Sequence, residues 1–456
     1  MSITTLNSAI LSEWIGVEAP RYTSYPTAPN FRDIISEETY IEWIRNSAQG
    51  QDISLYIHIP FCHELCLFCG CNTSITKKYH PVASYKELLL KEIELFKSKV
   101  NIEAKIVHLH FGGGSPTILS NDDFKELFAA IKTVLPFTTD AKIAIEIDPR
   151  ALDEEKALMY KDLSFNRVSL GVQDFDHGVQ VAINRVQPFE LVKKACELLR
   201  TNGISDINVD LIYGLPLQTP KTVNKTVELS LLLKPSRIAF FSYAHVTWKK
   251  KQQRLIEEHM LPSSDAKIEM YLESKHAFEQ AGYIAVGIDH FALPDDEMAI
   301  ALSNRALKRN FQGYTVDKGI SLIGLGQSSI SQLSTGYVQN TPHSTQYEEM
   351  VNGDRLPIGR AVKMTDDDIL RKYIIDSIMC YMEVDFIEVS SKFNIDVNTY
   401  FAQELSSLKP FIDQDIISLS RNELKLTTEL RMLARRIAAV FDQYFVQQVN
   451  QYSKVS

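Results

Sequence analysis

Short β-branched and aromatic runs alternate along this chain with longer amphipathic ones. Strands are expected at 53–59 (ISLYIHI), 105–111 (KIVHLHF), 142–147 (KIAIEI), 167–173 (RVSLGVQ), 206–213 (DINVDLIY), 237–244 (RIAFFSYA) and 284–289 (IAVGID). Between them, apolar residues recur at helical spacing over 84–99, 121–134, 153–162, 189–202, 219–233 and 265–281. Asn121, Asp122 and Asp123 open one helix, and Gly203 and Gly282 follow the ends of two others. Serial βα units give a parallel sheet with its polar ligand groups at the strand ends. The expected class is therefore α/β, as a partial TIM-like (β/α) barrel, with a doubly wound open sheet as the structural alternative.

The rhythm fails near residue 295. Residues 296–364 read as an irregular segment that completes the site, and 365–456 as a small, mainly helical C-terminal domain with a strand-like stretch at 414–428. Before the barrel, expected over 51–295, residues 1–50 supply a helix and the run PRYTSYPT at 20–27. Its prolines argue for an extended strap, with packing on the surface as one reading.

At 456 residues the chain needs no disulfide staples. Its 45% hydrophobic and 23% charged residues exclude wholesale disorder. A net charge of -9 disfavours nucleic acid as a partner, though it permits a local basic pocket for an anionic substrate. No membrane partner is expected, because no apolar stretch reaches the length of a span. The start lacks a secretory pattern, so a cytoplasmic location is expected. Four of the six cysteines fall between Cys62 and Cys71, which in a reducing compartment suggests metal ligation.

Cys62, Cys66 and Cys69 form C-x3-C-x2-C directly after the first strand, with Cys71 two residues on. Three thiolates on one loop can hold three corners of a four-iron cluster and leave the fourth iron open. Structural zinc is the rival, but it usually takes two separated ligand pairs, and Cys196 and Cys380 are lone residues in helical patterns. Gly112-Gly113-Gly114 closes the second strand and lets backbone N–H groups approach a ligand. Glu146 and Asp148 share a face of the third strand, Gln173 ends the fourth, and Asn208 and Asp210 lie on the fifth. Asp148, preceding Pro149, reads equally as a turn cap. His58, His108 and His110 read first as hydrogen-bonded core residues.

The cysteine spacing resembles that of the radical S-adenosylmethionine enzymes. YIHIPFC at 56–62, FCGCN at 68–72, the PRYTSYPT strap, GGGSPT at 112–117, EIDPR at 146–150, GVQDF at 171–175, DLIYGLP at 210–216 and NFQGYT at 310–315 extend the likeness over nearly the whole chain. Together they resemble the oxygen-independent coproporphyrinogen III oxidases. The resemblance implies a radical SAM barrel, a [4Fe-4S] cluster on Cys62, Cys66 and Cys69, and two molecules of S-adenosylmethionine. Tyr56, Gly113, Glu146 and Ile330 would contact the cluster-bound molecule. Phe68, Gly114, Ser115, Gln173, Arg185, Asp210 and Ala244 would contact the second. Ser115 stands where the family usually has Thr, and Thr247 where it commonly has Pro.

The implied reaction turns two propionates of coproporphyrinogen III into vinyl groups, giving protoporphyrinogen IX for haem synthesis. A 5′-deoxyadenosyl radical would abstract hydrogen, so no catalytic side chain is required beyond cluster and cofactor. A separate reductant for the cluster and a monomeric state are expected. Arg21, Lys249, Lys250, Lys251, Arg305 and Arg309 are candidates to meet the substrate's carboxylates. Rival readings are a haem-binding chaperone of the same lineage, another radical enzyme such as a methyltransferase or cyclopropanase, and a structural zinc protein.

Overall fold

The computed structural model describes Trp14, residues 16–445 and residues 453–455. After helix α1 (Glu37–Ala48), six strands pair in chain order and all parallel: β1 (Asp52–Ile59), β2 (Lys105–Gly113), β3 (Phe137–Ile147), β4 (Arg167–Gln173), β5 (Asp206–Tyr213) and β6 (Arg237–Ser242). The crossovers carry α2 (His80–Val100), α3 (Asn121–Val134), α4 (Glu154–Asp162), α5 (His177–Ala182), α6 (Phe189–Thr201) and α7 (Pro220–Leu232), and α8 (Ser264–Gln280) follows β6.

Helix α3 shows how sequence sets these units. Ser120 caps it by accepting from the Asp123 N–H, and Asp122 and Asp123 sit in the positive first turn. Phe124, Leu127, Phe128 and Ile131 form its buried stripe. Phe124 packs on Phe111 of β2 with ring centroids 5.0 Å apart. Strand β5 alternates: Ile207, Val209, Leu211 and Tyr213 are buried towards the helices, while Asn208 and Asp210 face the barrel interior. That alternation brings polar groups inside without breaking the core.

Two expectations change here. The run at 284–289 does not extend the parallel series. It becomes β7 (Ile284–Val286) and, after a turn at Gly287, gives way to β8 (His290–Ala292), which pairs antiparallel with β6. Residues 296–364 are also largely regular. They contain α9 (Glu297–Ser303), the hairpin β9 (Lys308–Asn310) and β10 (Gly313–Thr315), then β11 (Ser321–Leu325), β12 (Ile330–Gln332), β13 (Gly336–Asn340), α10 (Ser344–Asn352) and β14 (Ile358–Lys363). β11 pairs parallel with β1 and so supplies the seventh parallel strand from the far end of the chain. These strands span three to six residues and bury polar groups such as Ser321, Gln339 and Asn340, so no apolar alternation marks them. The finished sheet has twelve strands, ordered β14-β13-β12-β11-β1-β2-β3-β4-β5-β6-β8-β7.

Beyond it lie α11 (Asp366–Tyr381), α12 (Phe386–Phe393), several short helices and a small antiparallel sheet of β15 (Glu383–Asp385), β16 (Ile417–Leu419) and β17 (Glu423–Leu426). The PRYTSYPT strap is irregular as expected but is not a surface feature. Tyr22 and Tyr25 are buried, and Arg435 donates to the carbonyls of Ala19 and Pro20 beneath it. Among the described residues no helix is long and apolar enough to cross a membrane.

Candidate active site

A cavity of about 840 Å³ lies inside the barrel and opens at the C-terminal strand ends. β1 runs out through Pro60 into the cysteine loop. The loop's neck is closed by hydrogen bonds from Ser74 N–H to Pro60 O (2.6 Å) and from Thr76 N–H to Cys62 O (3.0 Å). Cys62, Cys66, Cys69 and Cys71 all line the cavity, and none is in a disulfide. Burial, reinforced by neighbouring Cys69 and Cys66, pushes the Cys62 thiol up to about 12. Cys69 moves the other way, down to about 6, because the Cys71 side chain and N–H donate to it. A thiol that resists ionisation as Cys62 does would release its proton on binding a cation.

Among the described residues no three His, Cys, Asp or Glu side chains are arranged to hold a single metal ion. A four-iron cluster asks for less convergence, because each thiolate binds a different iron, and three sulfurs facing one cavity meet that need.

Next to the loop, β2 ends in the glycines. Gly113 has φ +115°, and a Cβ there would lie 2.6 Å from the His58 ring. A Cβ on Gly114 would meet the Phe61 carbonyl oxygen at 2.6 Å. Only glycine lets this strand end fold against the cysteine loop, to which it is tied by Gly114 N–H to Ile59 O and Ser115 N–H to Phe61 O, both 2.8 Å.

Glu146 accepts from His110 Nε2 (3.3 Å) and from the Gly113 N–H (3.2 Å). Burial alone would raise its carboxyl; the hydrogen bond and charge of His110 and the Gly113 N–H outweigh this and hold it low. Its side chain is nonetheless 43% accessible, because it faces the cavity. Deeper, Asp210 accepts from Ser169 Oγ (2.9 Å) and Asn208 Nδ2 (2.7 Å), and burial pushes it up to about 6.

Arg185 is 8% exposed. It donates to Gly171 O (2.7 Å), Asp148 Oδ2 (3.3 Å) and Cys66 Sγ (3.5 Å), which leaves its Nε buried without a partner. Asn208 Oδ1 is likewise buried and unpaired. Such orphaned polar atoms on a cavity wall suit a polar ligand. Asp148 accepts from the Arg150 N–H as a turn cap and also pairs with Arg150 and Arg185 at the cavity wall.

Phe68, Gly113, Gly114, Ser115, Glu146, Gln173, Arg185 and Asp210 thus line one cavity with the cysteines. Tyr56, Ala244 and Ile330 do not line it. The Tyr56 ring stacks on His110, 5.9 Å between centroids, and its hydroxyl lies 3.0 Å from His58 Nδ1. Ala244 O accepts from Gln253, which also holds Phe68 O, and Ile330 opens β12. None of Arg21, Lys249, Lys250, Lys251, Arg305 and Arg309 lines the cavity either. Arg305 pairs with Glu383 (2.6 Å), and Arg309 lies over the Tyr314 ring. The basic residues on the wall are Arg150, Arg167, Arg185 and Arg237. Arg167 and Arg237 open β4 and β6, where a first-residue arginine looks like an ordinary surface charge in sequence. His108, His290, Gln312 and Tyr314 also line the cavity.

The profile of the Radical SAM superfamily matches residues 56–230. An oxygen-independent coproporphyrinogen III oxidase of Bradyrhizobium diazoefficiens is 43% identical over 423 residues, 93% of this chain and 94% of that protein. One from Pseudomonas aeruginosa is 40% identical over 431 residues, 94% of each. The chain belongs to the oxygen-independent coproporphyrinogen III oxidases. Among solved structures, coproporphyrinogen III oxidase (HemN) from Escherichia coli, described as a radical SAM enzyme, matches with a TM-score of 0.90 and 34% identity, over 96% of this chain and 99% of that one. Membership of this oxidase family implies a [4Fe-4S] cluster and S-adenosylmethionine. Full-length agreement with oxidases does not favour the haem-chaperone reading.

Proposed function

We propose that this chain oxidatively decarboxylates two propionates of coproporphyrinogen III to vinyl groups, giving protoporphyrinogen IX without oxygen. The observation that carries the reading is one cavity at the barrel mouth lined by Cys62, Cys66, Cys69, the glycine turn and Glu146, in a chain that matches an oxidase from end to end.

When bound, the cluster and S-adenosylmethionine supply a 5′-deoxyadenosyl radical able to take a hydrogen atom from a propionate β-carbon. The protein's part is to bind, orient and shield. Cys62, Cys66 and Cys69 would hold the cluster. The Gly113 backbone and Glu146 would orient the cofactor's methionine end, a carboxylate kept ionised by His110 being suited to an ammonium group. Phe68, Gly114, Ser115, Gln173, Arg185 and Asp210 are proposed to hold a second S-adenosylmethionine, with Tyr56, Ala244 and Ile330 supporting from behind the wall. The wall arginines already pair with carboxylates of the chain, Arg150 and Arg185 with Asp148, Arg167 with Asp206 and Arg237 with Asp296, and any grip on the substrate's carboxylates would have to share those pairs. After hydrogen abstraction the propionate loses CO2 and passes one electron to an external one-electron acceptor, leaving the vinyl group. No side chain has to move a proton in that step.

The test is anaerobic turnover by the reconstituted protein with a strong reductant, S-adenosylmethionine and coproporphyrinogen III. Protoporphyrin together with 5′-deoxyadenosine is the expected result. Deoxyadenosine without decarboxylated tetrapyrrole would reject the substrate, and S-adenosylhomocysteine would point to methyl transfer.

A further inference from the structure

The segment after β6 is not accounted for by the cavity. Residues 247–255 read TWKKKQQRL, with four basic side chains and no acidic one, in a chain of net charge -9. None of them lines the cavity. Three reach across to the cysteine loop and donate to its backbone. Lys250 Nζ bonds Cys71 O at 2.7 Å, Gln252 Nε2 bonds Cys69 O at 2.8 Å, and Gln253 Nε2 bonds Phe68 O at 2.9 Å. Gln253 is buried, and its Oε1 accepts from the Val246 N–H at 2.6 Å, so one amide fixes both the segment and the loop.

The outer face is different. Leu255 is 69% exposed and Trp248 37% exposed, with the exposed cations Lys251 and Arg254 between them in sequence. Arg254 Nε donates to Thr247 O (3.3 Å), which ties its side chain back onto the segment. The acidic groups nearby are Glu18, which acts on Lys249, and Glu257 and Glu258 beyond the buried Ile256. An exposed Leu and a half-exposed Trp beside Lys251 and Arg254, for which no ion pair is found among the described residues, resemble an interface motif more than a solvated face.

We propose that this ridge is the docking surface for an acidic protein that donates single electrons to the site. The inference rests on the functional reading above, because each cleavage of S-adenosylmethionine takes up one electron while the donor is oxidised by one. Two acidic proteins repel at long range, so an acidic donor needs a local basic target. Such steering raises association rates by roughly 10- to 1000-fold and is lost in salt. The ridge places that target one hydrogen bond from the loop that carries the cysteines. Trp248 and Leu255 supply the apolar centre of the contact, and Lys251 and Arg254 its charged rim.

The experiment uses the reconstituted protein with purified flavodoxin, an acidic flavin protein, as the probe. Its binding is followed by titration calorimetry at low and high salt. In parallel, 5′-deoxyadenosine is measured with reduced flavodoxin or with dithionite as donor. For Lys251→Glu/Arg254→Glu, flavodoxin binding and the flavodoxin-driven rate are expected to fall at least about tenfold at low salt, with the dithionite-driven rate unchanged. Wild-type binding should weaken as salt rises. Equal binding by variant and wild type, or no binding by wild type, overturns the proposal. So does salt-sensitive self-association abolished by the same substitutions, which would assign the ridge to a second copy. If wild type makes no deoxyadenosine with dithionite, the functional reading fails, and the binding titration still decides the docking surface.

Discussion

Glu92 sits on α2, outside the barrel, and is 1% exposed. Its Oε1 accepts from Asn340 Nδ2 (2.7 Å), and its Oε2 from the Gly326 N–H (2.8 Å) and the Tyr347 hydroxyl (2.6 Å). The Gly326 turn rests on the end of β1, where Tyr85 OH donates to His58 O (2.8 Å) and accepts from the Gln327 N–H (2.9 Å). Burial raises the Glu92 carboxyl from 4.5 to about 7, against the pull of its three donors. The folded chain therefore holds a proton that the unfolded chain has lost between those two values. Stability from this group is full below pH 4.5 and falls as pH rises towards 7. Linkage gives a loss of about 2–3 kcal/mol between pH 5 and pH 8. Glu92→Gln keeps the shape and cannot titrate. Its amide faces Asn340 Nδ2, which cannot simply turn because it also donates to Gly326 O (2.9 Å). We expect Gln to be destabilising at pH 5 by about 1–3 kcal/mol for one mismatched donor, and the deficit to shrink by about 2–3 kcal/mol at pH 8. Urea unfolding of the metal-free chain at both pH values measures this. An unchanged deficit, or one that grows with pH, refutes the reasoning and shows that the three donors keep Glu92 ionised throughout. Glu92→Leu strands all three donors and should cost about 3–5 kcal/mol, less than additive because they share one site.

Gly113→Ala, forced into φ +115° and 2.6 Å from the His58 ring, should weaken S-adenosylmethionine binding at least about tenfold by equilibrium dialysis. Cys69→Ser should lose cluster iron after reconstitution, whereas Cys71→Ser should retain iron and the iron–sulfur absorption band. Arg185→Lys keeps a charge but cannot bond Gly171 O and Asp148 together, so deoxyadenosine formation should fall about tenfold with iron content unchanged.

The six parallel strands and their helices were legible because each buries a helix-facing stripe of apolar residues, and β5 shows the alternation directly. The cysteine loop was legible from spacing alone. What sequence could not show was closure. β11 finds β1 across some 260 residues, and its neighbours are too short and too polar to carry a period. The run at 284–289 misled because IAVGID is apolar enough for a strand, while Gly287 (φ +57°) turns it back. The cations were less legible, for another reason. Arg21, Arg305 and Arg309 stand out as charges near the expected mouth, but the fold spends them on Ser242 O, Glu383 and the Tyr22 carbonyl. Arg167 and Arg237 reach the cavity only because β4 and β6 begin inside the barrel.

The site's geometry is set by hydrogen bonds to loops more than by the strands themselves. The cysteine loop has no helix or long strand of its own. It is held by the Ile183 and Asn184 turn, through Leu67 N–H to Ile183 O (3.0 Å) and Asn184 Nδ2 to Leu65 O (2.8 Å). The glycine turn grips its start at Ile59 and Phe61, and Lys250, Gln252 and Gln253 grip its end at Cys71, Cys69 and Phe68. Each grip comes from the connection that leaves a different parallel strand: β2, β4 and β6. Positioning a reactive group to a fraction of an ångström requires support that does not share a single hinge. Three anchors on three strands of one sheet satisfy that requirement, because no local bend can move all of them together. The same arrangement makes the loop sensitive to the sheet's register. A shift of β6 by one residue would reverse the faces of Arg237 and Ala239 and carry the 247–255 segment away from the carbonyls it now holds.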